Sequence, residues 1–272
     1  MSEPWALVTG ASYGVGRAVA VRLARAGYNV IATARSKNAI DITAERVKSA
    51  GRQAVAIDAD LTVDDDLGRI TDSVERHAGG SLALFVHCAF GHIGEEEGRN
   101  LESVSIPEIK DFVAISVTGT YLITRTLLPS VRSASGRMIF IVADWGLPTH
   151  NILTSTFGES DAPLGSEIFN SAKYAVTGFV NSLERLSQVR CSGIYPGIIA
   201  SAHQREYPPE ALDEGYLDID SDPADIRTAG YDVPNDSIPL SDVAESVYFA
   251  ATTMATVRTI HLKPVDFGYT GL

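Results

Sequence analysis

Thr9-Gly10-Ala11-Ser12-Tyr13-Gly14-Val15-Gly16 links the apolar stretch Trp5–Thr9 to residues 15–26, where Val15, Val19, Leu23 and Ala26 recur at helical spacing. A glycine-rich turn between a strand and a helix is a place where backbone can approach a phosphate closely. Gly10 permits the tight turn, Gly14 removes a side chain from the approach path, and Gly16 lets the helix pack on the strand. The helix start adds free N–H groups and the positive end of its dipole. Ser12, Tyr13, Val15 and these glycines are therefore the candidate contacts to a dinucleotide pyrophosphate.

Outward from this turn, strand and helix patterns alternate. Strands are predicted at residues 28–34, 53–58, 82–88, 137–143, 189–195 and 257–262, with helices at 38–50, 62–77, 107–131, 166–187 and 241–254. Thr62 is predicted to cap its helix, with Asp64, Asp65 and Asp66 suited to the first turn. Residues 82–88 form a nearly continuous apolar run, the mark of a strand covered on both faces. The pattern predicts an α/β fold: a Rossmann-like, doubly wound parallel sheet in one domain spanning 1–272. Two long turn-rich connections, 144–167 and 202–238, follow strand C-terminal ends, where such sheets bind ligands. The second, rich in acids and carrying Tyr207, Tyr216 and Tyr231, is read as a substrate lid within the domain.

The net charge of −12 argues against nucleic acid or an anionic membrane as partner and leaves a small-molecule substrate as the expectation. Cys88 and Cys191 are the only cysteines and stand far apart, so neither a disulfide nor a metal site is expected, and a reducing, cytoplasmic setting follows. The N-terminus reads as a first strand, not a signal peptide, and no apolar run approaches the roughly 18 residues of a membrane span.

The end of the second strand reads Thr33-Ala34-Arg35-Ser36. An acid there would bind a ribose 2′-hydroxyl; an arginine suits a 2′-phosphate, so NADP(H) is favoured over NAD(H).

Residues 168–183, Ile-Phe-Asn-Ser-Ala-Lys-Tyr-Ala-Val-Thr-Gly-Phe-Val-Asn-Ser-Leu, add the second signal. Together with Thr9–Gly16 they resemble the short-chain dehydrogenase/reductase family, whose helix carries Tyr-x-x-x-Lys. The resemblance extends to Asp60-Leu61, implied to lie beside the adenine, with helix capping as the other reading for Asp60. It includes Ala89 of His87-Cys88-Ala89-Phe90, where the family has Asn-Asn-Ala-Gly. It includes Pro196-Gly197-Ile198-Ile199-Ala200-Ser201, similar to Pro-Gly-x-x-x-Thr at the nicotinamide carboxamide, and Val265-Asp266-Phe267-Gly268 near the end. The implied cofactor contacts are thus Gly10, Ser12, Tyr13, Gly14, Val15, Gly16, Arg35, Asp60, Leu61, Ala89, Lys173, Pro196, Gly197 and Ile199. A homodimer or homotetramer built on the long helices is also implied.

The resemblance fails where the family does its proton chemistry. Of the Asn, Ser, Tyr and Lys that act together there, this chain matches only Lys173; Ser116, Ala143 and Phe169 stand at the other positions. Phenylalanine cannot donate a proton, and a positioned acid is worth about 10²–10⁴ in rate. His150 and Asp144, in or beside the enlarged 144–167 connection, are the candidate replacements. Tyr174 lies about 140° around the helix from Phe169 and is expected to pack elsewhere. The expected activity is an atypical NADP(H)-dependent oxidoreductase acting on a small carbonyl or alcohol, with the proton coming from substrate or water near Lys173. The alternatives are a non-redox dehydratase, isomerase or cyclase on the same scaffold, or a non-catalytic cofactor-binding partner subunit.

Overall fold

The computed structural model describes residues 3–91, 101–143, 166–197, 199 and 237–263. They form seven parallel strands: β1 (Trp5–Thr9), β2 (Asn29–Ala34), β3 (Ala54–Asp58), β4 (Leu84–His87), β5 (Arg137–Ile141), β6 (Arg190–Pro196) and β7 (Thr259–Leu262). The helices are α1 (Gly14–Arg25), α2 (Lys37–Ser49), α3 (Asp64–Ala78), α4 (Ile106–Val113), α5 (Thr120–Ser133), α6 (Ser166–Ser187) and α7 (Leu240–Thr252). The strand order is β3-β2-β1-β4-β5-β6-β7. The chain runs outward from β1 to β3, then restarts on the other side of β1. The C-terminal ends of β1 and β4 therefore flank the reversal point, where an open sheet leaves a crevice for a ligand.

Both sheet faces are covered, which explains why β1 is buried at every position. One core layer joins Leu7, Phe85, Phe140, Ile123, Leu127 and Tyr195; the other joins Val8, Val86, Val19, Leu23, Leu240 and Val247. Neighbouring parallel strands share a face at each register position. Thr33, Thr9, His87, Phe140 and Gly193 thus form one row across five strands, close to the ligand edge. Gly193 is required there because a Cβ would lie 2.4 Å from the Tyr195 ring.

Two local differences from the sequence expectation have physical causes. Helix α3 begins at Asp64 with Val63 at the N-cap, not at Thr62. The Thr62 N–H and hydroxyl both donate to Asp60 Oδ1, at 2.9 and 2.6 Å, so a carboxylate-centred turn outcompetes the cap. Asp60 does not cap the helix either; Asp66 reaches back to accept its N–H at 2.7 Å. The single helix expected at 107–131 is two helices around a π-helical turn, Ala114–Gly119. The combined run Ile106–Ser133 is long and apolar enough, by length and composition, to cross a membrane. In this fold, Phe112, Ser116, Thr120, Ile123, Leu127 and Val131 bury one side of it.

Candidate functional site

The glycine-rich turn is built as its sequence requires. Gly10 has φ +63°, and a Cβ there would come within 2.7 Å of Ala89 N. A Cβ on Gly16 would lie 2.2 Å from the Gly10 carbonyl oxygen. Gly14 also adopts a positive φ, 56°, as the chain enters α1. Beneath the turn lies a feature that sequence reasoning missed. Arg17 is 2% exposed, donates from Nε to Thr43 Oγ1 at 3.1 Å, and hydrogen-bonds the Ser12 carbonyl. Thr43 in turn donates to the Ala11 carbonyl at 2.6 Å. The buried guanidinium and the Thr43 hydroxyl thus hold the Ser12 and Ala11 carbonyls of the turn inward.

The turn fits a dinucleotide phosphate: the contacts that a Cβ would block at Gly10 and Gly16 keep the backbone close, and no first-turn acid on α1 opposes an anion. At the end of β2, Thr33 Oγ1 is buried without a hydrogen-bond partner, and Arg35 follows on the surface. Asp60 is partly buried; Leu61 is buried against the π turn, 3.3 Å from where a Gly119 Cβ would stand. Pro196 ends β6, Gly197 N–H bonds the Leu262 carbonyl, and Ile199 pairs with Ile238.

At the reversal point, His87 bridges three elements. Its Nδ1 lies 2.8 Å from Thr9 Oγ1 and its Nε2 2.9 Å from Thr120 Oγ1. The Thr120 hydroxyl proton is committed to the Ser116 carbonyl at 2.7 Å, so Thr120 must accept from Nε2–H. Thr9 Oγ1 accepts from the Cys88 and Ala89 N–H groups, so its own proton goes to Nδ1. The ring is therefore neutral, with its proton on Nε2. Burial, and secondarily the charge of Lys173, pulls its pKa down to about 3. This network ties the end of β4 to the glycine-rich turn on one side and the π turn on the other.

Lys173, on α6, points into the same region. It is 5% exposed, and its Nζ stands 3.5 Å from the Phe90 ring centroid and 5.2 Å from that of Phe169. Among the described residues no carboxylate pairs with it. Burial pulls its pKa down to about 7, opposed weakly by Cys88. Burial pushes the Cys88 thiol up to about 12, so that cysteine is a neutral neighbour. Phe90, Phe112 and Phe169 stack edge-to-face or tilted, with centroids 5.3–6.5 Å apart. The Phe90 ring contacts Lys173, Phe112 and Phe169. Ser116, fully buried, accepts the Gly91 N–H at 3.0 Å.

The structure thus gathers Ser116, Phe90, Phe169 and Lys173 at one place. Ala143 is half-buried just beyond β5, and Tyr174 is half-buried on α6. Asp144, His150 and most of the expected lid, up to residue 236, lie outside the described residues. No group of three or more metal-binding side chains occurs among those that are described.

A parallel sheet with a phosphate-fitting turn at its reversal point defines a nucleotide-binding α/β protein. The short chain dehydrogenase family model matches residues 4–211, and the chain belongs to that family. It is 27% identical over 263 residues to a 3-oxoacyl-[acyl-carrier-protein] reductase of Staphylococcus epidermidis, covering 95% of this chain and 96% of that one. It is 30% identical over 166 residues to a very-long-chain 3-oxoacyl-CoA reductase of Coccidioides immitis, a match spanning 58% of this chain and 45% of the relative. Among solved structures, an alcohol dehydrogenase from the archaeon Thermococcus sibiricus complexed with 5-hydroxy-NADP superposes with a TM-score of 0.73 at 18% identity, covering 97% of both chains. A short chain dehydrogenase from Mycobacterium paratuberculosis bound to NAD superposes at 0.71 and 22%, covering 96% of both.

Proposed function

We propose that this protein is an NADP(H)-dependent oxidoreductase acting on a carbonyl or alcohol of a small, specialised metabolite, with its proton drawn from substrate or from water at Lys173. The observation that carries the reading is the pairing of a phosphate-fitting turn with a buried lysine, unpaired with any carboxylate among the described residues, on the far side of the same crevice. Relatives named as 3-oxoacyl reductases support reduction of a carbonyl. Arg35 supports the choice of a 2′-phosphate over a bare 2′-hydroxyl.

NADP(H) would supply the hydride; the rest falls to the chain. The turn from Ser12 to Gly16 would hold the pyrophosphate, Arg35 the 2′-phosphate and Lys173 the ribose beside the nicotinamide. With phenylalanine at 169 and alanine at 143, no hydroxyl from those positions reaches the substrate oxygen. Lys173, with a pKa of about 7, would hold its proton loosely enough near neutrality to pass it, through an intervening water, to the substrate oxygen that hydride transfer leaves negative. Loss of NADPH absorbance across a panel of small aldehydes, ketones and 3-oxoacyl thioesters tests this; the predicted result is turnover of at least one. The missing hydroxyls favour a second reading, a non-redox dehydratase, isomerase or cyclase. Product formation without net oxidation of NADPH would select it.

A further inference from the structure

The departures at positions 90, 116 and 169 act together on one atom. The Phe90 ring covers Lys173 Nζ at 3.5 Å, and Phe169 closes a second side at 5.2 Å. Phe90 is not loosely placed. Its ring packs on Phe112 and Phe169 at 5.5 and 5.3 Å. The next residue is fastened by its N–H to Ser116 Oγ, and a Cβ on Gly91 would lie 2.8 Å from that oxygen. On the other side, Ala89 N–H bonds Thr9 and its backbone packs against Gly10. The segment carrying Phe90 is therefore pinned at both ends, with its ring on the lysine.

A dinucleotide whose pyrophosphate rests on the start of α1 has one half beside β2 and the other running past the end of β4 towards Lys173. The first half meets a surface that is already formed: the turn braced by Arg17, with exposed Arg35 just beyond β2. The second half meets Phe90. We infer that Phe90 is a built-in stopper over the nicotinamide end of the site, so that the adenosine half docks on a ready surface while the nicotinamide half must displace an aromatic ring from Lys173. This rests on the dinucleotide reading above and adds a residue that sets how much affinity the nicotinamide half contributes.

The test is a calorimetric comparison of two ligands, NADPH and adenosine 2′,5′-bisphosphate, which lacks the nicotinamide half. In the parent protein the two are expected to bind with similar affinity. In Phe90→Ala, NADPH should bind about 10- to 100-fold tighter, the scale of a desolvated cation–ring contact, while the bisphosphate is unchanged. Phe90→Leu keeps apolar bulk but no ring face and should show a smaller gain in the same direction. Unchanged bisphosphate affinity also reports that each variant is folded; if Phe90→Ala does not fold, Phe90→Leu decides. The inference is overturned if NADPH affinity stays the same or falls while the bisphosphate still binds, or if both ligands improve equally. If neither ligand binds the parent or the variants, the dinucleotide reading itself is wrong and the stopper goes with it.

Discussion

Replacing Lys173 with methionine should make the protein more stable while weakening its hold on nucleotide. The ammonium is buried among aromatic rings, Cys88 and His87, with no carboxylate partner among the described residues. Its pKa falls from 10.5 to about 7, so the fold disfavours the charged form by roughly 4–5 kcal/mol at and below neutral pH. The ring contacts return about 2 kcal/mol of that when the cation is desolvated. Methionine keeps the length and loses both effects, for a net gain of about 2–3 kcal/mol and a rise in Tm of roughly 4–10 °C. The pH dependence gives the sharper check. Because the folded pKa lies below the unfolded one, the unfolded chain binds more protons between about 7 and 10.5, and this group's contribution to stability rises with pH across that window. Thermal unfolding of both proteins at about pH 6.5, 8 and 9.5 should show the advantage of the variant shrinking as pH rises. A variant that is less stable at the acid end, or whose advantage is flat with pH, would refute the account of Lys173 as a buried, destabilising cation.

His87→Leu strips partners from Thr9 and Thr120 and should cost about 2–4 kcal/mol at neutral pH by urea unfolding. The cost should narrow on acidification, because His87 with its pKa of about 3 makes the parent lose stability as pH falls below its ordinary 6.5. In Gly16→Ala the new Cβ meets the Gly10 carbonyl at 2.2 Å; the expected outcome is a loss of about 1–3 kcal/mol or more in stability and abolished NADPH binding, measured by denaturation and calorimetry. The double variant Phe169→Tyr with Ala143→Ser should gain about 10²-fold or more in carbonyl reduction over the parent, read as NADPH consumption; no gain would mean that the site no longer holds substrate where those hydroxyls point.

The parallel order was legible because β1 and β4 are apolar at nearly every position, and the glycine-rich turn because its three glycines each answer a steric demand of the backbone. Lys173 and Phe169 were brought into one region by a spacing of four on a helix. The rest needed three dimensions. Residues 107–131 read as one helix, since a π turn leaves no sign in apolar periodicity; it shows only when Ser116 turns to hold Gly91 and Leu61 packs on Gly119. His87 looked like a variant residue at a strand end, and its partners Thr9 and Thr120 are 78 and 33 residues away. Arg17 drew no notice in the sequence, because its partners on α2 and in the turn are brought to it only by the fold. Phe90 gave a partial signal, bulk where the resemblance implies glycine, but not its position on Lys173.

Dinucleotide binding is tested most directly by one titration: NADPH, and separately NADH, into the purified protein by calorimetry. The expected result is saturable binding of one nucleotide per chain, with NADPH at least about tenfold tighter than NADH, the scale of one arginine–phosphate contact. Absence of heat from both nucleotides, with the protein folded, would contradict it.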